Sequence, residues 1–240
     1  MSDLNGKIVI VVGASAGIGL AASHAAAAEA ATVYMVSRTR STLEDAARAV
    51  KGRAKALPFD MLDRAGVEHA LAGVNDGGPI DHLVLSAAGD EYGLFGPVAA
   101  LSDEQVTQSF EKLRGFVNIV RAAAPRLGAG ATITMVSGAG AARPPKETSL
   151  AAASNASIVA FAKAMAVDLA PVRVNVVMPG VVDTGRHGAK RESLRVWAET
   201  DLPARRFGTP DDIADAIVFL MKNPYMTGHT LVIDGGFLGQ

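Results

Sequence analysis

The chain has 240 residues, of which 49% are hydrophobic and 5% aromatic, with no cysteine and a formal net charge of -1 at pH 7. This length suits one α/β domain, residues 1–240, filled by aliphatic side chains. The composition excludes disulfides and thiolate nucleophiles, and it gives no basic surface for nucleic acid or anionic lipid. The sequence predicts no leader or membrane span, so we expect a cytoplasmic protein.

Two kinds of segment alternate along the chain. Runs rich in β-branched residues predict seven strands, at residues 7–12, 32–36, 54–59, 80–85, 131–136, 172–178 and 229–234. Helical spacing predicts helices at residues 18–29, 42–50, 64–71, 103–127, 149–169 and 210–222. The alternation predicts a doubly wound, mainly parallel seven-stranded sheet of the Rossmann type, with helices on both faces. Ligands of such sheets bind at the carboxyl ends of the strands.

A glycine turn follows the first predicted strand and leads into the first predicted helix. Such a turn lets main-chain amides at the helix start hold the pyrophosphate of a dinucleotide. The predicted contacts are Gly13, Ser15, Ala16, Gly17, Ile18 and Gly19. The alternative is a tight turn without a ligand, but the order of strand, turn and helix favours a dinucleotide.

The residues after the second predicted strand bear on the choice of cofactor. Enzymes that use NAD place a carboxylate here to bind the ribose hydroxyls, whereas this chain has Ser37, Arg38 and Arg40. A guanidinium can bind a 2′-phosphate with two hydrogen bonds, so the sequence predicts NADP(H). The alternative is that both arginines are solvated loop residues.

The Gly-x3-Gly-x-Gly spacing resembles that of the short-chain dehydrogenase/reductase family, and similar motifs follow in order along nearly the whole chain. They lie at Asp60, 86–89, 173–184, 206–210, 227–228 and 234–236. The resemblance implies cofactor contacts at Asp60, Met61, Ser86, Ala87, Ala88, Gly89, Pro179, Gly180, Val182 and Thr184, and a substrate lid at about residues 182–202. The turn at 86–89 lacks both asparagines of the family's N-N-A-G motif.

The residues that transfer protons in the family, an Asn, a Ser, a Tyr and a Lys, are altered in this chain. Matching the family's motifs places the Tyr at Ala151, the Lys at Asn155, the Ser at Gly138 beside Ser137, and the Asn at Lys112. Lysine and asparagine have thus changed places, which would keep one cation near the nicotinamide.

The candidate catalytic residues are therefore Lys112, Ser137 and Asn155. A solvated Lys112 on the helix surface is the alternative interpretation. Ser154, and Tyr92 with Glu91, are further candidate proton donors.

The sequence thus predicts an NADP(H)-dependent oxidoreductase that transfers hydride to or from a carbonyl, alcohol or imine through an atypical proton relay. The alternative is an inactive nucleotide-binding sensor or scaffold. No metal site is expected, because the five histidines lack ligand spacing. The resemblance also implies a homodimer or homotetramer that pairs through residues 103–127 and 149–169. Alanines would keep the second of these helices slim: Ala151, Ala152, Ala153, Ala156 and Ala160.

Overall fold

The computed structural model describes residues 3–74, 78–89 and 91–239. Its centre is a parallel sheet with the strand order β3-β2-β1-β4-β5-β6-β7. The strands are β1 Ile8–Val12, β2 Thr32–Val36, β3 Arg53–Ala56, β4 Ile80–Leu85, β5 Leu127–Val136, β6 Arg173–Pro179 and β7 Thr230–Ile233. The predicted parallel, doubly wound sheet is confirmed.

Helices cover both faces of the sheet. They are α1 Gly17–Ala28, α2 Arg40–Ala49, α3 Arg64–Ala72, α4 Asp103–Ser109, α5 Glu111–Ala123, α6 Ser149–Asp168, α7 Arg191–Asp201 and α8 Pro210–Lys222. Alternate residues of β1 serve the two faces: Val9 and Val11 pack with α1, α2 and α8, whereas Ile8 and Ile10 pack with α3, α5 and α6. Every residue of β1 is buried, as expected for a strand covered on both sides.

The order of the strands defines where a ligand site can form. From β1 the chain runs outward through β2 and β3, then returns to the other side of β1 with β4. The loops after β1 and β4 therefore leave the sheet in opposite directions, and a crevice opens between them at the carboxyl edge.

The predicted helix at residues 103–127 is confirmed only in part, because it forms two helices, α4 and α5, which are separated at Phe110. The Ser109 hydroxyl donates to the Val106 carbonyl at 2.6 Å, a side-chain bond of the kind that bends helices. Pro125 then lies in a single 3-10 turn, and β5 begins at Leu127 rather than at residue 131.

Three smaller observations concern the end of β3, the lid segment and the surface of α6. Strand β3 ends at Ala56 rather than at residue 59. Pro58 follows two residues later, and it has no main-chain N–H to donate to a neighbouring strand. Helix α7 forms inside the segment at residues 182–202 that the family resemblance identifies as the lid, where the sequence pattern predicted no helix. Ala151 is buried against the protein's own core, whereas Ala153, Ala156 and Ala160 are exposed on α6.

A buried histidine makes the stability of this fold depend on pH. His82 on β4 is 5% exposed, and its Nδ1 lies 2.8 Å from the Thr132 hydroxyl of β5. Burial lowers the pKa of His82 from 6.5 to about 4, so the folded protein keeps this ring neutral at a pH where the unfolded chain protonates it.

We expect the free energy of unfolding to fall as pH drops from 6.5 to about 4, the interval between the unfolded and folded pKa values of His82. The contribution of this one group is at most about 1.4 kcal/mol per pH unit. Urea unfolding of the wild-type and His82→Gln proteins across this interval measures this contribution as a difference in how steeply the free energy of unfolding changes with pH. His69→Gln, at an exposed position of α3, is the control. A His82 ring that titrates by NMR near 6.5 would contradict the prediction.

Candidate functional site

The glycine turn after β1 holds the chain close to the end of β4. Gly13 and Gly17 have φ angles of +84° and +55°, which side chains with a Cβ rarely adopt. A Cβ on Gly13 would lie 2.7 Å from the Ala87 main chain, and one on Gly19 would lie 2.2 Å from the Gly13 carbonyl oxygen. The three glycines are therefore required for the turn to pack as it does.

Helix α1 begins inside this turn with its amides available to an anion. Its N-cap residue, Ala16, has no side chain that can accept a hydrogen bond, and no acidic residue lies in the first turn. The first amides of a helix lack intrahelical acceptors and carry the positive end of its dipole. Thr184, from the segment after β6, packs against Gly17. This arrangement fits a dinucleotide pyrophosphate.

The turn after β4 forms the other wall of the crevice. Ser86 donates to the Val12 carbonyl from both its amide and its hydroxyl, at 3.0 and 2.8 Å. One serine thereby fastens the ends of β1 and β4 together. Ala87 and Ala88 are half-buried beside it, and Gly89 is exposed.

The other predicted contacts lie at the same edge of the sheet. Asp60 follows β3 and accepts from the Leu62 amide at 2.9 Å, and the Met61 carbonyl accepts from the Asn118 side chain of α5 at 3.0 Å. Pro179 ends β6, and the amide of Gly180 donates to the Ile233 carbonyl of β7 at 3.0 Å. These contacts fix the loops that border the crevice.

The two arginines near the end of β2 differ in their surroundings. Arg40 is the first residue of α2 and lies 3.4 Å from the Glu44 carboxylate in an exposed ion pair. Arg38 is exposed, and its guanidinium makes no hydrogen bond or ion pair with the described residues. Arg38 is therefore the better placed of the two to bind a phosphate, and Ser37 lies half-buried beside it.

The three candidate catalytic residues meet at the carboxyl end of β5. Lys112, in the first turn of α5, donates from Nζ to the Asn155 Oδ1 of α6 at 2.8 Å. Ser137, directly after β5, donates its hydroxyl to the Asn155 main-chain carbonyl at 2.8 Å. Lys112 is 6% exposed, so it is buried rather than solvated.

The ammonium of Lys112 is held in an environment that favours loss of its proton. Burial lowers the pKa of Lys112, and the Arg186 guanidinium lowers it further. The Glu91 carboxylate raises the pKa against these two effects. A lysine whose pKa is lowered can give its proton to a substrate more readily than a solvated one.

A second group of polar side chains joins the lid to the loop after β4. His187 Nε2 lies 2.7 Å from the Val182 carbonyl, which can only accept, so this nitrogen carries a proton. In the neutral ring Nδ1 is then the acceptor, and the Tyr92 hydroxyl donates to it at 2.6 Å. Burial and the neighbouring Glu91 raise the pKa of Tyr92. Its proton is therefore directed at His187 and is hard to release.

Contacts across the crevice involve residues that the sequence pattern did not bring together. Glu91 Oε1 lies 3.7 Å from Lys112 Nζ, and Arg186 of the lid donates to the Gly89 carbonyl. Lys190 stands over the Tyr92 ring, 4.8 Å from its centre. No spacing rule links residue 91 to residue 112, so their contact appears only in the folded chain. Within residues 3–74, 78–89 and 91–239, no group of three His, Asp or Glu side chains is placed to hold a metal ion.

Comparisons with known proteins find reductases and dehydrogenases. A family model described as enoyl-(acyl carrier protein) reductase matches residues 13–238. The 2,3-dihydro-2,3-dihydroxybenzoate dehydrogenase of Bacillus subtilis is 33% identical over 97% of this chain and 96% of its own, and the L-xylulose reductase of Bos taurus is 33% identical over 98% of each chain. A solved structure covers 99% of this chain and 98% of its own at 27% identity and a TM-score of 0.89. It is the NADPH-bound short chain oxidoreductase of Pseudomonas aeruginosa PAO1 containing an atypical catalytic center.

We expect Gly19→Ala to disrupt the crevice, because the new Cβ would lie 2.2 Å from the Gly13 carbonyl oxygen and 2.6 Å from the Ser86 hydroxyl. Overpacking of this kind costs about 1–3 kcal/mol, and the turn should also lose its shape for a dinucleotide. Thermal unfolding and calorimetry with NADPH measure the two effects. Gly130→Ala is the control, since a Cβ there meets nothing within 4 Å. Unchanged NADPH affinity in Gly19→Ala would show that the dinucleotide does not bind at this turn.

Proposed function

Since the chain belongs to the short-chain dehydrogenase/reductase family, we propose that it is an NADP(H)-dependent oxidoreductase whose proton donor is Lys112. Its substrate is a small carbonyl compound or imine, or the corresponding alcohol or amine in the reverse direction. The observation that carries this proposal is the 2.8 Å hydrogen bond between the buried Lys112 ammonium and Asn155. The relatives are named dehydrogenases and reductases, which favours an enzyme over a sensor or scaffold.

The choice of NADP(H) over NAD(H) is supported by charge at the end of β2. Arg38 offers a guanidinium with no partner among the described residues, and no carboxylate stands at Ser37 to bind ribose hydroxyls or repel a phosphate. The similar Pseudomonas protein was solved with NADPH bound. The residues of the glycine turn and the first amides of α1 would hold the pyrophosphate.

The proposed chemistry needs one proton for each hydride. When bound, NADPH supplies the hydride. The Lys112 ammonium donates a proton to the substrate oxygen or nitrogen as negative charge develops there, and its N–H bond breaks as the new bond to hydrogen forms. In the reverse direction the neutral amine of Lys112 accepts that proton.

The neighbours of Lys112 position it for this step. Asn155 Oδ1 accepts a hydrogen bond from one of the three N–H groups of Lys112. The other two N–H groups are left to face the substrate and Glu91. Ser137 donates to the main chain of α6, so its role is to hold Asn155 in place rather than to protonate the substrate. Tyr92 is the weaker candidate donor, because its hydroxyl is engaged with His187.

Assembly as a homodimer or homotetramer, in the cytoplasm, belongs to the same proposal. Helix α6 is apolar enough to span a membrane by length and composition, as core helices of soluble proteins also are, yet only 28% of its most apolar window is buried within the protomer. Ala153, Ala156, Ala160 and Val167 are exposed along it. A second copy of α6 would cover this slim apolar face.

We expect Arg38→Ala to weaken NADPH binding and leave NADH binding unchanged, because only NADPH carries the 2′-phosphate. A hydrogen bond between charged groups contributes about 1.5–3 kcal/mol, which corresponds to a loss of affinity of roughly 10- to 150-fold. Calorimetry with both nucleotides measures it, and Arg48→Ala at the far end of α2 is the control. Equal losses for both nucleotides, or tighter binding of NADH to the wild type, would contradict the assignment.

We expect Lys112→Met, which keeps the buried methylene chain, to lower the rate of hydride transfer by about 10²- to 10⁴-fold. NADPH affinity should change by less than about threefold. Single-turnover loss of the NADPH absorbance with a panel of small ketones, aldehydes and imines measures the rate. Lys51→Met, in the exposed turn between α2 and β3, is the control. A rate equal to that of the control would remove Lys112 from the mechanism.

A further inference from the structure

We infer that Glu91 carries protons between the solvent and Lys112, an inference that rests on the proton-donor role proposed above for Lys112. The Lys112 side chain is 7% exposed and the Glu91 side chain is 44% exposed, and Glu91 Oε1 lies 3.7 Å from Lys112 Nζ. One end of this pair is therefore buried at the site of chemistry, and the other end reaches water.

The other described groups around Lys112 cannot perform this task. Asn155 binds the ammonium through an amide oxygen that does not hold a proton at ordinary pH. The Ser137 hydroxyl is directed at a main-chain carbonyl. Arg186, which faces the site from the lid, is a permanent cation with no acceptor. Among the described residues, Glu91 is the one carboxylate within 4 Å of Lys112.

The distance decides how the proton crosses. A separation of 3.7 Å is an ion pair but exceeds the length of an N–H···O hydrogen bond, about 2.7–3.2 Å. Transfer therefore needs either a small rotation of the exposed Glu91 side chain or one bridging water. Because Glu91 lies on a loop at the mouth of the crevice, both can occur without movement of the buried lysine.

The cycle balances for reduction of a carbonyl. Lys112 gives its proton to the substrate oxygen and becomes a neutral amine. The carboxyl group of Glu91, protonated from bulk water, then transfers its proton to Lys112 Nζ: the O–H bond breaks, the N–H bond forms, and a carboxylate facing an ammonium is restored. Glu91 thus acts on the substrate only through Lys112 and does not contact the substrate itself.

The carboxylate also favours the charged form of the lysine. Glu91 raises the pKa of Lys112 against the lowering by burial and by Arg186. Removal of the Glu91 charge, with its shape retained, should thus lower the pKa of Lys112. That change alone would speed the loss of its protons to water, so slower exchange would report the loss of the proton carrier rather than the loss of the charge.

Glu91→Gln provides the test, because it keeps the size of the side chain and removes its ability to accept a proton. Nitrogen-15 NMR of the lysine ammonium groups, in the protein without substrate, measures the exchange of Lys112 protons with water. The Lys112→Met variant identifies the signal. We expect exchange in Glu91→Gln to slow by at least about tenfold, while NADPH affinity by calorimetry stays within about threefold of wild type.

Two further variants sharpen the result. Glu68→Gln, at an exposed position of α3 where Glu68 pairs with Arg64, should leave the exchange unchanged. Glu91→Asp keeps the carboxylate on a shorter chain and should give an intermediate rate. Wild-type exchange in Glu91→Gln would overturn the inference and leave Lys112 as the donor. If none of the tested carbonyls and imines caused the wild-type protein to oxidise NADPH, the proposed function would fail. The exchange measurement would still show whether Glu91 carries protons to Lys112.

Discussion

The hydrogen bond between Lys112 and Asn155 is the interaction on which the site depends. A buried ammonium without a partner would destabilise the fold, and one amide oxygen at 2.8 Å, with a carboxylate at 3.7 Å, offsets part of its lost hydration. The same bond ties the start of α5 to the middle of α6. Ser137 completes the arrangement by joining α6 to the end of β5. A charged group is thereby fixed beside the crevice with little freedom to move.

The sheet explains why this group and the dinucleotide crevice are neighbours. All strands of the described sheet are parallel, so their carboxyl ends share one edge, and the reversal of direction at β1 and β4 opens the crevice there. The glycine turn can approach β4 only because Gly13 and Gly19 lack a Cβ, and Ser86 closes the joint. The amides at the start of α1 and the buried Lys112 both lie at this edge.

The sequence predicted the features that local pattern encodes. Alternation of apolar strands and helices predicted the parallel sheet. Resemblance to the family's motifs, rather than local pattern, identified Lys112 and Asn155, which the structure places in contact. Other features depend on tertiary structure or on single side chains. The break at Phe110 lies beside a hydrogen bond from one serine hydroxyl to the main chain, and helix α7 lies in a segment chosen by family position rather than by its own helical spacing. The contact between Glu91 and Lys112 arises because a loop folds over the crevice, which no periodicity encodes.

The most direct measurement is a crystal structure of the protein with NADPH bound. We expect the Lys112 ammonium, still bonded to Asn155, to be the proton donor nearest to the ring carbon that carries the hydride, with Arg38 on the 2′-phosphate. A nicotinamide ring that faces the Tyr92 or Ser154 hydroxyl instead, with Lys112 out of reach of a substrate held against the ring, would contradict the role of Lys112.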